Sequence, residues 1–382
     1  MAKGTAKYIM GTVERFDQKN EMYRRPRWDP SQREVGKKVY GTVWLPRNKQ
    51  GYTQLDLALS VAGWHVESAF AHGLVAHDTD LYKWERDVLL PFGGAKQALP
   101  DEPYPVSDPT HMSEVIKRAA RFLGASLVGI CELNRLWVYS NSFHFWTKEH
   151  LPLEIPEEYK YAIAIGVEMD YDAVERSPNW LSDGATGLGY SKMAFTASSL
   201  AQFIRTLGYK AIPSGNDTAL SIPIAIDAGL GELGRNGLLI SPQFGPRQRL
   251  CKVFTNLPLV PDEPIEFGVT EFCRQCGRCA ENCPGQAIMY GEMTDKPHNI
   301  SNSSGQLKWP VNAEKCLGFF GTNNLACLNC ERVCPFSKPP GWLHDAVRWG
   351  VKHTPWLDSF FVRMDKLFGY GKQKKTQDFW LQ

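Results

Sequence analysis

The ten cysteines are the residues with the clearest chemical pattern in this chain. Eight of them form two runs, Cys273-x2-Cys276-x2-Cys279-x3-Cys283-Pro284 and Cys316-x10-Cys327-x2-Cys330-x3-Cys334-Pro335. Disulfide frameworks are typical of short secreted chains, and a chain of 382 residues is long enough to bury a core without one. The clustering therefore indicates metal binding.

The first run has the spacing of a bacterial ferredoxin [4Fe–4S] site, and the second has the same spacing with its first gap lengthened. Two-residue gaps let three thiolates reach one cluster from a single loop, while the fourth cysteine, beside a proline, ligates the other cluster. Zinc is the alternative, since paired C-x-x-C motifs also bind zinc, but two C-x-x-C-x-x-x-C-P endings favour iron–sulfur. The predicted ligand sets are Cys273, Cys276, Cys279 and Cys334 for one cluster, and Cys316, Cys327, Cys330 and Cys283 for the other.

The remaining two cysteines, Cys131 and Cys251, lie in the apolar runs LVGICEL and RLCKVF. We predict that they are small buried hydrophobic residues. Two clusters transfer electrons, and residues 269–340 alone would be enough to hold them. The long segment before them is therefore predicted to hold whatever accepts the electrons.

The elements that must position these groups follow from hydrophobic periodicity. Helices are predicted around Leu55–His72, from Asp108 or Thr110 onward, and from Gly187 to Leu207, where Gly208 ends the helix. SLVGICEL, YAIAIGVEM, KAIPSGND and RLCKVFTNLPL are predicted strands, and SIPIAIDAGLGELGRNGLLIS is predicted as helix, glycine-rich loop and strand. This alternation between about 108 and 268 predicts a layered α/β core.

The glycine-rich segment Gly229–Gly237 (GLGELGRNG) is similar to a loop that cradles phosphate. A dinucleotide fingerprint would follow a strand directly and open a helix, whereas the residues before this segment are predicted to be helical. A loop packed against a large cofactor is favoured, with an ordinary tight turn and NAD binding as the alternatives.

Charge and hydropathy exclude other classes of protein. Lys and Arg number 43 against 41 Asp and Glu, a net charge of +2, which does not indicate a protein that coats nucleic acid. No run of about 18 apolar residues predicts a transmembrane helix. The pair Arg24–Arg25 is followed by Pro26 and Arg27 where the apolar region of a signal peptide would begin. We expect a mature or trimmed form without its targeting signal.

The stretch from Gly187 to Leu259, followed by FCRQCGRCAENCP and ACLNCERVCPF, resembles the corrinoid-dependent reductive dehalogenases. The likeness covers about 110 to 340, and the closing RMDKLFGYG (Arg363–Gly371) also resembles the end of that family. The resemblance implies a nitroreductase-like α/β (α+β) core that binds a base-off cobalamin, and a bacterial ferredoxin-like domain with two [4Fe–4S] clusters. No histidine here lies in a D-x-H-x-x-G context, the motif that supplies an axial imidazole in other corrinoid proteins.

The resemblance also implies a domain organisation. Residues 1–107 form an N-terminal region that shapes the substrate pocket and covers the corrinoid, and 108–268 form the corrinoid-binding core. Residues 269–340 form the two-cluster domain, and 341–382 form a C-terminal segment that packs on the core.

Family members use a tyrosine as proton donor, a basic residue beside it and an asparagine at the site; these fall on Tyr190, Arg249 and Asn216. A phenol with a pKa near 10 can protonate a carbanion-like carbon, and a guanidinium stabilises the phenolate that forms. Arg247 would share a strand face with Arg249, so the choice between them stays open. Without the resemblance, a lone tyrosine on a helix is a core residue. The implied corrinoid contacts are Ser214, Gly234, Asn236, Gly237, Ser241 and Arg247.

The implied function is the terminal reductase of anaerobic organohalide respiration. A small chloroalkane or chloroethene would gain two electrons and one proton and lose halide. One alternative is the related epoxyqueuosine reductase, but a net charge of +2 does not favour a basic RNA-facing surface. Another is an electron-transfer subunit without its own substrate, which would leave Tyr190, Asn216 and Arg249 without a purpose.

Partners and location are expected from the resemblance alone. They are a small membrane-anchor protein, a respiratory electron donor and, as one arrangement, a homodimer, with no nucleic acid. The location is the outer face of the cytoplasmic membrane, with peripheral attachment after twin-arginine export.

Two clusters on eight cysteines predict about eight irons and eight acid-labile sulfides per chain. The measurement is elemental and sulfide analysis of protein purified without oxygen. Near-stoichiometric zinc with little iron would overturn the assignment.

Overall fold

The computed structural model describes residues 3–41, 45–88, 102–339 and 341–381. The strands are β1 Leu127–Glu132, β2 Asn141–Phe143, β3 His150–Pro152, β4 Tyr161–Glu168, β5 Ala211–Ser214, β6 Glu232–Leu233, β7 Leu239–Ile240 and β8 Gln248–Thr255. The α-helices are α1 Arg33–Tyr40, α2 Gln54–Val66, α3 Pro109–Phe122, α4 Tyr171–Val174, α5 Trp180–Thr206, α6 Ser221–Asp227, α7 Val269–Cys276, α8 Arg278–Glu281, α9 Ala313–Asn323, α10 Asn329–Arg332, α11 Trp342–His353 and α12 Asp358–Leu367.

Four strands form the central sheet in the order β1-β4-β8-β5, and every neighbouring pair is antiparallel. The predicted mixed core is confirmed in its α+β form. Side chains alternate between the two faces, as the pleat requires. Ile163 and Ile165 join the cluster under α3 and α5, whereas Ala162 and Ala164 join the cluster that includes α6. Both faces are therefore covered.

The predicted helices are present, with shifted ends. The helix expected from Gly187 begins earlier, at Trp180, where Asn179 caps it in a reciprocal box with Ser182. Three glycines and two serines near its start lower its intrinsic helix propensity, but burial of this segment outweighs that preference. The helix expected over Leu55–His72 is α2 followed by a π-helical turn, which ends where His72 adopts a φ of 54°.

The glycine-rich segment folds into the two-stranded ribbon β6–β7 after helix α6. A Cβ on Gly231 would lie 2.1 Å from the carbonyl oxygen of Ile240, so only glycine allows this close approach. The segment follows a helix, as predicted, and does not have the strand–loop–helix form of a dinucleotide site.

Cys131 and Cys251 are buried free cysteines within the two core clusters, which confirms their prediction as small hydrophobic residues. Burial raises the pKa of both thiols well above the usual range, so neither is a reactive thiolate. No helix in the described part of the chain combines the length and the apolar character needed to cross a membrane.

The C-terminal helices pack on the cysteine-rich region. Helix α12 contacts α7, and its Asp365 forms a buried ion pair with Arg278 of α8. Further along, Trp380 donates a hydrogen bond to Asp56 of α2. The boundaries of the four domains stay predictions.

Helices α2 and α5 cross at glycines, and this contact places α2 beside the later site. A Cβ on Gly63 would lie 2.4 Å from the Gly184 carbonyl oxygen, and one on Gly187 would lie 2.5 Å from the ring of Trp64. Helix axes approach this closely only where side chains are missing.

Gly63→Ala should therefore destabilise the protein by about 1–3 kcal/mol, the usual cost of overpacking. The measurement is thermal unfolding of the cofactor-loaded protein. Gly318→Ala is the matched control, because Gly318 also lies within a helix and its Cβ would meet no atom within 4 Å. Equal midpoints for the two variants would contradict the role of this helix contact.

Candidate active site and cluster sites

A cavity of about 730 Å³ lies between the sheet domain and the cysteine-rich region. The three residues predicted as catalytic, Tyr190, Asn216 and Arg249, all line it. Side chains from the N-terminal region, including Phe16, Tyr23 and Trp64, line it too. The cavity is thus large enough for a sizeable organic ligand and is closed in part by N-terminal residues.

Tyr190 and Asn216 are in direct contact. The Asn216 amide Nδ2 donates a hydrogen bond of 2.7 Å to Tyr190 Oη. Tyr190 comes from the middle of α5, and Asn216 comes from the loop directly after β5. A phenol oxygen that accepts from an amide keeps its own proton free to donate elsewhere.

Arg249, on β8, completes the group. Its guanidinium lies 5.5 Å from the centre of the Tyr190 ring, donates to Thr186 Oγ1 at 3.3 Å and pairs with buried Glu331 at 3.5 Å. Among the described residues, Arg249 Nε and Glu331 Oε2 are buried without a hydrogen-bond partner. One donor and one acceptor beside the cavity therefore remain free to hydrogen-bond a ligand.

The structure separates the two candidate arginines. Arg247 precedes β8 and is fully buried away from the cavity, where it pairs with Glu168 at 2.7 Å and donates to the Met169 carbonyl. The expectation that Arg247 and Arg249 share a strand face is wrong, because β8 begins at Gln248 and the strand alternation does not reach Arg247. Only Arg249 lies beside Tyr190.

The pKa of Tyr190 is raised by burial, while the Arg249 charge and the Asn216 hydrogen bond act in the opposite direction. The net shift is upward, so the hydroxyl keeps its proton at neutral pH. Arg249 and Asn216 then lower the cost of forming the phenolate. This combination suits a proton donor.

Sequence reasoning missed the support around Tyr190. The Trp64 ring stacks on the Tyr190 ring, with 5.1 Å between centroids and 21° between planes. Trp64 Nε1 in turn donates to buried Asp183 on α5 at 3.0 Å. An aspartate in an otherwise apolar and small-residue helix start was the available signal, since buried carboxylates need hydrogen-bond partners.

The second cysteine run and Cys283 share the same cavity as Tyr190. The four cysteines that line it are those predicted as one crossed ligand set: Cys316, Cys327, Cys330 and Cys283. Backbone N–H groups point at two of the sulfurs: Ala287 N lies 3.2 Å from Cys283 Sγ, and Asn329 N lies 3.5 Å from Cys327 Sγ. Such hydrogen bonds tune the potential of iron–sulfur clusters.

The other predicted set lines a separate, smaller pocket, whose cysteines are Cys273, Cys276, Cys279 and Cys334. Arg235, from the glycine-rich segment, fixes this loop by donating to the Cys273 carbonyl at 2.7 Å. Its neighbour Asn236 lines both this pocket and the large cavity. The two sets are therefore adjacent, and the set with Cys283 is the one beside Tyr190.

The cysteine sets suit clusters more than zinc. Four thiolates on one zinc ion would lie within about 3.8 Å of one another, given a Zn–S bond of about 2.3 Å. In the described part of the chain, no three His, Cys, Asp or Glu side chains are close enough to hold a single metal ion. Burial raises the pKa of Cys273, Cys276, Cys316 and Cys334 to about 12, so metal binding must displace the thiol protons.

The six predicted corrinoid contacts divide into two groups. Asn236 and Gly237 line the cavity, and their contact with a cofactor stays a prediction. The other four, Ser214, Gly234, Ser241 and Arg247, do not line it. Ser214 Oγ and Ser241 Oγ hydrogen-bond within their own turns, to the Asp217 carbonyl and to Gln248. Their polar groups are used by the protein itself.

Comparison with known proteins identifies the family. A 4Fe-4S dicluster domain model matches residues 272–338. Tetrachloroethene reductive dehalogenase of Sulfurospirillum multivorans is 37% identical over 86% of this chain and 71% of its own length. That of Desulfitobacterium hafniense is 32% identical over 87% of this chain and 73% of its own. The chain belongs to the reductive dehalogenase family.

The fold agrees with a solved member. The catabolic reductive dehalogenase NpRdhA, as an N-terminally tagged K488Q variant, superposes with a TM-score of 0.73 at 23% identity. The match covers 96% of this chain and 47% of that one, so this chain spans about half the length of the solved structure. Reductive dehalogenases are corrinoid and iron–sulfur oxidoreductases, and the iron–sulfur part of that description is present here as the dicluster domain.

The residues around the cavity fit a corrinoid. Lys308 lines the cavity, where burial lowers its pKa to about 8, and an anion such as the phosphate of a nucleotide tail would stabilise its charged form. Hydroxyl side chains that line the same cavity could bind the amide groups of the macrocycle: Ser221, Ser301 and Ser303. No histidine of the described residues lines the cavity.

The interlocked cysteine sets predict a crossed pattern of damage. Cys283→Ser should perturb the cluster of the Tyr190 cavity, although Cys283 lies in the first run. Cys334→Ser should perturb the other cluster. Electron paramagnetic resonance of the reduced variants distinguishes the two clusters. The pairing is wrong if Cys283→Ser instead alters the cluster held by Cys273, Cys276 and Cys279.

Proposed function

We propose that this protein is a reductive dehalogenase that replaces a halogen of a small organohalide with hydrogen. The observation that carries the proposal is that Tyr190, Asn216 and Arg249 meet in the cavity that one cysteine set also lines. A site for electrons and a site for a proton therefore share one enclosed space. An electron-transfer subunit without a substrate would not need a site for a proton.

The cofactors supply the redox part of the reaction. A bound corrinoid provides a strongly reducing cobalt centre for cleavage of the carbon–halogen bond. The two clusters would deliver electrons one at a time, with the cluster on Cys283, Cys316, Cys327 and Cys330 as the one beside the cavity. In total, two electrons and one proton enter, halide leaves, and a carbon–hydrogen bond replaces the carbon–halogen bond.

The protein supplies the proton. Asn216 donates to Tyr190 Oη, which leaves the Tyr190 O–H directed away from the amide and available to a substrate carbon. Arg249, beside the ring, stabilises the phenolate left after transfer. Trp64 stacks on the ring and limits its rotation.

A base-off corrinoid is part of the proposal. Two observations support it: the sequence has no D-x-H-x-x-G motif, and no described histidine lines the cavity. The described residues around the cavity therefore offer no imidazole as a lower ligand to cobalt.

We propose small chlorinated alkenes or alkanes as substrates. The relatives from Sulfurospirillum and Desulfitobacterium are named for tetrachloroethene. The cavity near Tyr190 is lined by aromatic side chains such as Phe16, Trp64 and Tyr139, which suit an apolar substrate without hydrogen-bonding groups. Membership of the reductive dehalogenases also favours this reaction over epoxyqueuosine reduction.

The cellular setting rests on the family resemblance. We propose a role as terminal reductase of organohalide respiration, on the outer face of the cytoplasmic membrane after twin-arginine export. A small membrane-anchor protein and a respiratory electron donor would be its partners, and a homodimer is one arrangement that fits the family.

Tyr190→Phe tests the function directly, because it removes one hydroxyl and almost no volume. With a reduced viologen dye as electron source and tetrachloroethene as substrate, chloride release should fall roughly 100-fold or more, the usual scale for losing a general acid. Both the variant and the wild type must contain corrinoid and both clusters, which is checked by absorbance and metal analysis.

Tyr52→Phe is the matched control. Tyr52 is a buried tyrosine whose hydroxyl donates to the Pro178 carbonyl at 2.9 Å, and it does not line the cavity. Its turnover should stay close to wild type. Normal turnover in loaded Tyr190→Phe would exclude Tyr190 as the proton donor, and a loaded wild-type protein that releases no halide from a panel of one- and two-carbon organohalides would exclude the function.

A further inference from the structure

Lys252 is a fully buried lysine in the middle of strand β8, with a relative exposure of 0%. It lies three residues after Arg249, and its ammonium points to the edge of the sheet where β5 ends. Burying an ammonium costs several kcal/mol unless hydrogen bonds compensate for the lost hydration. No carboxylate of the described residues forms a salt bridge with it. Its direct hydrogen-bond partners are therefore neutral acceptors.

Those acceptors all belong to one short segment, residues 215–221. Lys252 Nζ donates to the Gly215 carbonyl, to the Asp217 carbonyl at 2.9 Å and to the Ala219 carbonyl at 2.7 Å. Ser221 Oγ lies 3.1 Å away as a further acceptor. Burial lowers the pKa of Lys252 to about 8, while the charge of the nearby Asp217 carboxylate acts in the opposite direction, so the ammonium stays mostly protonated at neutral pH.

The segment around the ammonium has a strained backbone. Thr218 adopts a φ of 64°, in the left-handed region that a β-branched residue rarely occupies. Such a residue persists only where its surroundings hold it. The Asp217 carboxylate contributes by accepting from Gly215 N at 2.6 Å, Ser214 Oγ at 3.1 Å and Thr218 Oγ1 at 3.0 Å. The inward-facing carbonyls accept from the Lys252 ammonium instead.

This segment carries Asn216, the residue that donates to Tyr190 Oη at 2.7 Å. The carbonyls on both sides of Asn216, those of Gly215 and Asp217, accept from the same ammonium, so Lys252 helps to fix the backbone from which the amide reaches the phenol. We propose that Lys252 is a positioning residue for proton donation: its ammonium holds the 215–219 segment closed and thereby keeps Asn216 on the Tyr190 hydroxyl. The proposal rests on the proposed role of Tyr190.

A double-mutant cycle tests whether Lys252 acts through Asn216. Lys252→Met keeps the length of the side chain and removes its charge, and Asn216→Ala removes the amide. Each single variant, with cofactor and clusters loaded, should lower kcat roughly 100-fold, the scale of a misplaced catalytic group, with little change in KM. The double variant should be no slower than Asn216→Ala alone, because both changes remove the same interaction. Losses that multiply would overturn the proposal, as would normal turnover in Lys252→Met.

Lys117→Met is the matched control for the loss of a lysine that is mostly buried. Lys117 lies on α3, pairs with Asp262 at 2.6 Å and does not line the cavity. It should lose stability but keep its kcat. If Lys117→Met loses kcat as much as Lys252→Met does, the effect of Lys252 is general destabilisation and the proposal fails.

Crystal structures of the loaded variants give a readout that does not depend on activity. In Lys252→Met the distance from Asn216 Nδ2 to Tyr190 Oη should exceed about 3.5 Å, beyond a hydrogen bond, while it stays short in Lys117→Met. An unchanged contact in Lys252→Met overturns the positioning role, whatever the reaction of the protein turns out to be. A moved Asn216 in a protein that releases no halide would instead retain the positioning role and exclude the proposed function.

Lys252→Gln serves if Lys252→Met does not load its cofactors. Glutamine retains two N–H donors without the charge, so it should fold more readily and still open the segment in part. The same cycle and the same distance are then measured. A Lys252→Gln protein with wild-type kcat and an unmoved Asn216 would overturn the requirement for the charge.

Discussion

The close packing of helix α5 against both the sheet and α2 is the contact on which the site depends. Gly187 allows the Trp64 ring to approach α5, and Gly189 allows Arg249 of β8 to approach, since a Cβ there would lie 2.7 Å from Arg249 Cγ. Tyr190 follows Gly189 directly in the sequence, and both Trp64 and Arg249 lie against its ring. Helices separated by ordinary side chains would stand too far from these partners. The glycines of α5 therefore lower its helix propensity but allow Trp64 and Arg249 to lie close to the helix.

Burial of charge is the second constraint. Arg249, Glu331 and Lys252 are all held inside, where an ion without partners is expensive. Lys252 is satisfied by backbone carbonyls, whereas Arg249 and Glu331 each keep an atom without a partner. The unsatisfied atoms lie at the cavity and the satisfied ones lie behind it. Arg249 and Glu331 thus offer unused polar atoms to a ligand in the cavity.

The interlocked cysteine runs join the two parts of the cysteine-rich region. Cys283 of the first run lines the cavity of the second set, and Cys334 of the second run lines the pocket of the first. A cluster in either place would connect distant segments, and metal binding would then contribute to folding. Arg235 and Asn236 tie the glycine-rich ribbon to the same region, because Arg235 holds the Cys273 carbonyl and Asn236 lines both spaces.

The sequence by itself determined the local features. Cysteine spacing, the apolar strands and the amphipathic helix after Asp108 depend on neighbouring residues. The core elements were therefore predicted closely, and each predicted cysteine set lines one pocket. The first seven residues of α5, 180–186, were missed, because burial and not propensity makes them helical. Only the tertiary structure showed that Arg249, and not Arg247, lies beside Tyr190. It also showed that four of the six predicted corrinoid contacts do not line the cavity, and that Trp64 and Lys252 lie close to the site. Those outcomes depend on where strands begin and on which segments meet across the fold. Contacts between residues far apart in the sequence leave no pattern in the local sequence around either residue.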